Sequence, residues 1–208
     1  MTIIIGISGG VASGKNFISD CFLEFGAKIF DADEEVSKLF SNDLKFQKII
    51  QNKFPDSFQN GKINKNIIAK EVFNNKKKLQ SLEAITHPII SQKKQEFIKN
   101  CQLQNIPIAL LNIPLLFEKE SYKECDIAIL AISDLNLRKE RFLIREKKKN
   151  ADISNELLSK KFNNIILNQK SDQEKQGLAD FIIYNNSDKN NIITQINAIL
   201  KNYENNNS

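Results

Sequence analysis

A chain of 208 residues can bury one good core with room for an insertion, and it is too short for two independent domains. Its 41% hydrophobic and 26% charged residues fit a globular protein, and its net charge of +5 is interleaved with acidic residues. The basic runs Lys76 to Lys78 and Lys147 to Lys149 therefore read as solvated faces rather than a nucleic-acid track, and the odd, widely spaced Cys21, Cys101 and Cys125 exclude a disulfide framework or a zinc site and imply a reducing, cytoplasmic setting.

In chain order, "TIIIGIS" reads as a strand buried on both faces, because it is a short β-branched run ended by glycines. From Lys15 to about Phe25 apolar residues recur at helical spacing, with Gly26 where a C-terminal cap belongs. "AKIFDAD" reads as a second strand ending in two carboxylates. From about Glu34 to Leu103 the pattern is helical, with a turn at "QNGKIN", and spacing predicts a break or kink before Pro88.

The core resumes with "IPIALLNIPLLF" as a nearly continuous apolar strand, then "CDIAILAIS" and a helix over "DLNLRKERFLIRE", for which Asp134 is a candidate N-cap. Between Lys147 and Gln176 the chain turns polar and reads as a mobile lid. "ADFIIYNN" supplies a last strand, "NIITQINAILKNY" a terminal helix with Ile192, Ile196 and Ile199 along one side, and "ENNNS" a disordered tail. The start carries no basic stretch before its apolar residues, and the longest apolar run is interrupted by Asn112 and Pro114, so neither a signal peptide nor a membrane span is expected. Alternating strands and helices point to an α/β fold with a doubly wound parallel sheet, which binds ligands at the carboxyl ends of its strands.

"GISGGVASGKNF" follows the first strand and opens the first helix, and its Gly9-x-x-x-x-Gly14-Lys15 spacing is that of a P-loop. Gly10, Val11, Ala12, Ser13 and Gly14 would offer backbone N–H groups to phosphates at a helix N-terminus, and Lys15 a mobile charge for the β and γ phosphates. Where the motif has Ser or Thr on Mg²⁺, this chain has Asn16, whose amide oxygen is a neutral ligand with longer reach, able to meet the metal directly or through water. Asp31 and Asp33, two apart at a strand end, would face one side of an extended chain, one of them orienting a substrate hydroxyl; capping the next helix is the alternative for Asp33. Arg138, Arg141 and Arg145 share one helical face and can grip phosphate oxygens, surface ion pairs with Glu140 and Glu146 being the plainer reading. His87 is the one histidine, without a G-x-S-x-G turn, and suits substrate contact or structure better than a hydrolase triad.

Together these pieces resemble the dephospho-CoA kinase family along nearly the whole chain. "GISGGVASGK" is similar to its P-loop, "DAD" at 31 to 33 to its acceptor motif, "LEAITHPII" to its His-Pro motif, "IPLLFE" at 113 to 118 to its strand-end motif and "ERFLIRE" to its lid-arginine helix. "NQ" at 168 and 169, followed by "LADFIIYNN", is similar to the segment that closes the lid and reaches the adenine. The resemblance implies a P-loop three-layer α/β/α core, a helical coenzyme-binding insertion and a lid. It also implies transfer of the γ-phosphoryl of ATP to the ribose 3′-hydroxyl of dephospho-CoA with Mg²⁺.

By the same resemblance Lys15, Asp33 and Arg141 are catalytic, with Arg145 and Asn185 on ATP. Asp31, His87, Pro114, Leu115, Leu116 and Phe117 shape the acceptor pocket. The implied division is one kinase domain with core 1–40, 105–146 and 177–203, insertion about 41–104, lid about 147–176 and tail 204–208, acting as a monomer on small molecules, without nucleic acid or membrane. Three features depart from the family pattern: Asn16, Ser187 where a glycine follows the paired asparagines, and the pair Asn163 and Asn164 where a basic residue precedes Gln169. A nucleoside monophosphate kinase, a nucleotide-dependent RNA switch and an inactive ATP-binding homologue are the competing readings.

Overall fold

The computed structural model describes residues 1–59, 61–73 and 75–207. In chain order it forms β1 (Ile3–Gly9), α1 (Lys15–Cys21), a 3-10 turn (Phe22–Phe25), β2 (Ala27–Asp31), α2 (Ala32–Asn42), α3 (Leu44–Lys53), β3 (Phe58–Gln59), β4 (Lys62–Ile63), α4 (Lys65–Phe73), α5 (Lys76–Leu103) and β5 (Ile108–Asn112). It continues with β6 (Ile127–Ile132), α6 (Leu135–Lys149), α7 (Asn155–Leu167), α8 (Asp172–Gln176), β7 (Phe181–Tyr184) and α9 (Lys189–Asn207). Two compact units result, one made of Met1–Phe30 with the chain from Asn100 onward, the other of Asp31–Lys99.

The first unit is the expected α/β class, a five-stranded sheet in the order β2-β5-β1-β6-β7, in which β1 pairs in parallel with β5 and β6, and β6 with β7. Strand periodicity sorts its side chains into two layers. Ile127, Ile129 and Ala131 of β6 join Ile5 and Ile7 against α1 (Ile18, Cys21) and α9 (Ile192, Ile196, Ile199). The alternate residues Ala128 and Leu130 face the other way, onto Leu116, Phe117, Leu178 and Ala179. β5 is buried along its whole length but ends at Asn112, so the predicted strand stops before Pro114 and the following residues form turns.

Beyond the sheet, α6 and α7 build a small core of their own from Phe142, Leu158 and Phe162, and Val11 and Ala12 of the loop after β1 pack against it. The polar segment predicted as a lid thus consists of the end of α6, then α7 and α8. The composition predicts disorder from Glu204, yet α9 continues to Asn207. Tyr203 packs on the main core and the Asn206 amide donates to Asn202 Oδ1 at 2.9 Å, which ties down the last turns.

The second unit is helical, with a core of Leu39, Phe46, Ile50, Phe54 and Ile68. Where a turn was predicted at "QNGKIN", β3 and β4 form a short antiparallel pair; Asn60 of that stretch lies outside the described residues. Of the break or kink expected before Pro88, the helix shows no break: α5 runs through the proline. A proline removes one N–H and crowds the preceding turn, but Leu82, Ile85, Ile89 and Ile90 pack on the unit's core on both sides of it, and that burial holds the helix together.

Candidate active site

The loop between β1 and α1 is held from behind. Arg138 Nε donates to the Val11 carbonyl at 2.9 Å, and Asn185 Nδ2 donates to the Ser13 carbonyl at 2.9 Å. In a trans peptide the next N–H points opposite to the carbonyl, so these bonds turn the N–H groups of Ala12 and Gly14 away from the braces, the arrangement an anion needs. Gly14 sits at φ 86, and a Cβ there would run into the Asn185 amide; a Cβ on Gly10 would run into the Arg138 guanidinium. Both glycines are therefore required by close approach, and Gly14 by its left-handed backbone as well. Ser13 N donates to Gly10 O at 3.0 Å and closes the turn.

Lys15 opens α1, so its side chain leaves the loop at the helix N-terminus. Its Nζ donates to Asn112 Oδ1 at 2.7 Å and to Asn16 Oδ1 at 3.2 Å, and Asn112 Nδ2 donates to the same Asn16 oxygen at 3.1 Å. Asn112 is 1% exposed, at the carboxyl end of β5, beside the strand that leads into the loop. In the sequence it reads only as an interruption of an apolar run. A lone amide ending a buried strand was the available signal, since such a group stays buried only when hydrogen-bonded.

The three arginines of α6 share a face but part company in their contacts. Arg138 is buried, its NH1 on Asp172 Oδ2 at 2.8 Å, so it braces the loop instead of facing a phosphate. Arg141 donates to Ser133 Oγ at 3.0 Å and to the Asn185 carbonyl at 3.1 Å, next to the amide that holds the loop. Arg145 is 53% exposed, 5.5 Å from the centre of the Phe142 ring. The predicted cap Asp134 does precede α6, but its side chain accepts from Asn186 Nδ2 at 2.9 Å instead of capping the helix. Asn185, predicted to touch ATP, is buried and acts here on the loop backbone.

The return segment after α7 is also attached to the loop, because Gln169 Oε1 accepts from the Val11 N–H at 3.2 Å. α6 and α7 are joined through Glu146, which accepts from Lys149 at 2.8 Å and from Lys161 at 2.5 Å. Those two hydrogen bonds outweigh burial and bring its carboxyl down to about 2.

The acceptor residues are placed differently from the expectation. β2 ends at Asp31 and α2 begins at Ala32, so the two carboxylates do not line one side of an extended chain. Asp31 is the N-cap, accepting from Glu34 N at 3.0 Å, and Asp33 is exposed in the first turn of α2. The cap considered for Asp33 thus belongs to Asp31. His87 is exposed on α5.

Of Pro114 to Phe117, the side chains of Leu116 and Phe117 are fully buried in the core, and Leu115 is exposed. Ser8 Oγ donates to the Pro114 carbonyl at 2.8 Å and fixes this turn to β1. The structure therefore brings Gly10, Val11, Ala12, Ser13, Gly14, Lys15, Asn16, Arg141 and Asn185 together in one unit, with Asn112 and Arg138 added.

The profile of the dephospho-CoA kinase family matches residues 3–191. The chain belongs to the dephospho-CoA kinase family. Among its relatives is the dephospho-CoA kinase of Bartonella henselae, 35% identical over 198 residues that cover 95% of this chain and 96% of the relative. Among solved structures, the dephospho-CoA kinase from Campylobacter jejuni superposes with a TM-score of 0.66 at 25% identity, covering all of both chains. The protein TT1252 from Thermus thermophilus shares the fold with a TM-score of 0.78 at 24% identity, covering 97% of each chain. Family membership makes this chain a kinase, an enzyme of phosphoryl transfer to an alcohol.

Proposed function

We propose that the protein transfers the γ-phosphoryl of ATP to the ribose 3′-hydroxyl of dephospho-CoA, giving CoA and ADP in the last step of coenzyme A synthesis. The observation that carries this reading is the loop at the end of β1. The Val11 and Ser13 carbonyls are bonded from behind, the N–H groups of Ala12 and Gly14 are turned away from those braces, and Lys15 stands at the helix end of the loop, in a chain of this family.

Phosphoryl transfer through a loose transition state depends on positioning and charge more than on deprotonation. Lys15 places a cation on the β and γ phosphates, and Arg141 adds a second on the transferred group, with Arg145 supporting it from the exposed end of the same helix face. Asp33 orients the acceptor hydroxyl and takes its proton as the bond to phosphorus forms. Asp31 fixes the start of α2 on which Asp33 stands. His87 contributes to holding the acceptor, as does the turn beginning at Pro114.

The amide oxygen of Asn16 is a hard neutral donor and fits Mg²⁺, which keeps several of its waters and binds with the nucleotide. Asn16 would help to hold the ion, directly or through water, its oxygen already accepting N–H bonds from Lys15 and Asn112. When bound, Mg²⁺ neutralises charge on the β and γ phosphate oxygens. The enzyme acts on small molecules as a monomer in the cytoplasm; among the described residues no helix is long and apolar enough to cross a membrane.

A coupled assay with ATP, Mg²⁺ and dephospho-CoA tests the proposal on wild type and Asp33→Ala. Wild type should form CoA and the variant should lose about 100-fold or more in kcat. Absence of CoA with wild type would defeat the reaction, and full activity of the variant would defeat the role of Asp33. Replacing dephospho-CoA by the common nucleoside monophosphates should give no stoichiometric ADP.

A further inference from the structure

β5 is Ile-Ala-Leu-Leu-Asn, and each of its five residues is buried. A buried amide costs free energy unless its carbonyl and its amino group are both hydrogen-bonded. At Asn112 both ends are engaged, and each engages a different side chain of the phosphate loop. The oxygen takes the Lys15 ammonium at 2.7 Å, while the amino group donates to Asn16 Oδ1 at 3.1 Å. Lys15 closes the ring by donating to that same Asn16 oxygen at 3.2 Å.

Asn16 carries an oxygen and an amino group on one rotatable bond, so either can face the lysine. The donor from Asn112 selects the oxygen, and with it an acceptor rather than a competing donor beside the ammonium. A leucine at 112 would fill similar space without a polar group to satisfy, so the fold alone does not call for the amide.

We infer that Asn112 is a positioning residue for the nucleotide polyphosphate, matched to Asn16. It sets the Lys15 ammonium at the loop and turns the Asn16 oxygen toward it, so that an asparagine can stand where the P-loop pattern has a hydroxyl. This rests on the ATP-binding reading above.

The test is calorimetric binding of ATP, with Mg²⁺ and with EDTA, alongside steady-state kinetics. The proteins are wild type, Asn112→Leu, Asn112→Asp, Asn16→Ser and the variant that combines Asn16→Ser with Asn112→Asp. Asn112→Leu should bind ATP about 10-fold more weakly and raise the KM for ATP alike, with the KM for dephospho-CoA within about twofold and the thermal midpoint no lower than wild type. Asn112→Asp keeps an acceptor for Lys15 but sets a carboxylate against Asn16 Oδ1. It serves as the isosteric check should the leucine variant fold poorly.

In the double variant the introduced serine hydroxyl would donate to the introduced carboxylate, so its ATP affinity should exceed the product of the two single effects by about fivefold or more. Purely additive single effects, or unchanged ATP affinity in both Asn112→Leu and Asn112→Asp, would overturn the inference while leaving the kinase reading intact. Wild type that binds no ATP under either condition would overturn both.

Discussion

In the unit that carries the phosphate loop, the candidate ligands are bonded to neighbours before any nucleotide arrives: Lys15 and Asn16 to Asn112, Arg141 to Ser133, Asn185 to Ser13. In the helical unit, Asp33 and His87 stand exposed on α2 and α5, and the polar bonds near the start of α2 include the cap at Asp31 and those of Glu35, which receives Lys38 and Lys93. The loop unit is thus preorganised, in the sense that its dipoles and charges need little rearrangement to meet a polyanion. The Asp31 cap serves the start of its helix. Substitutions in the first region should therefore spread through a network, and His87→Ala in the second should read out on the proposed acceptor substrate.

Lys15→Met is the largest expected break. It should cut kcat by about 1,000-fold with the fold retained, as circular dichroism and a thermal melt would show; residual activity within tenfold of wild type would remove the lysine from the transferred phosphate. Next comes Arg138→Met, which leaves Asp172 and the Val11 carbonyl without their guanidinium. Urea unfolding should show a loss of about 3 kcal/mol, with the KM for ATP raised as the loop loosens. A variant as stable as wild type would mean that the brace does not hold the loop.

Glu146 sharpens the same contrast through pH. Its folded carboxyl is held at about 2, against 4.5 for the free group, by hydrogen bonds from Lys149 and Lys161. A lowered folded value means that the stabilisation is fully present above pH 4.5, drains away as pH falls toward 2, and amounts to about 2 to 3 kcal/mol at most. Urea midpoints from pH 6 to about 2.5 should show this slope in wild type and a flatter one in Glu146→Gln, and parallel profiles would contradict the assignment. The smallest effect belongs to the helical unit. His87→Ala should raise the KM for dephospho-CoA about fivefold while leaving the thermal midpoint and the KM for ATP unchanged.

Much of the first unit was legible because its signals are local. Isoleucines before glycines, Gly14-Lys15 at a helix start and Gly26 after a helical run each specify their own geometry. Asp31 and Asp33 were misplaced by two residues at the strand end, because the change from strand to helix at Ala32 converts a shared face into a cap and a first-turn side chain. Arg138 could not be told from Arg141 along the helix, since what separates them is Asp172, 34 residues away in the chain. Asn112 was hidden for a related reason, its two partners lying 96 and 97 residues upstream. At Pro88 local backbone chemistry opposes the helix, and it is tertiary packing that carries α5 through without a break.

The identity of the phosphorylated product tests the account most directly. After incubation with ATP, Mg²⁺ and dephospho-CoA, phosphorus NMR and mass spectrometry should show one added phosphate on the ribose 3′-oxygen and one ADP per CoA formed. ATP hydrolysis without CoA, phosphate on another oxygen, or preferential transfer to a nucleoside monophosphate would contradict it.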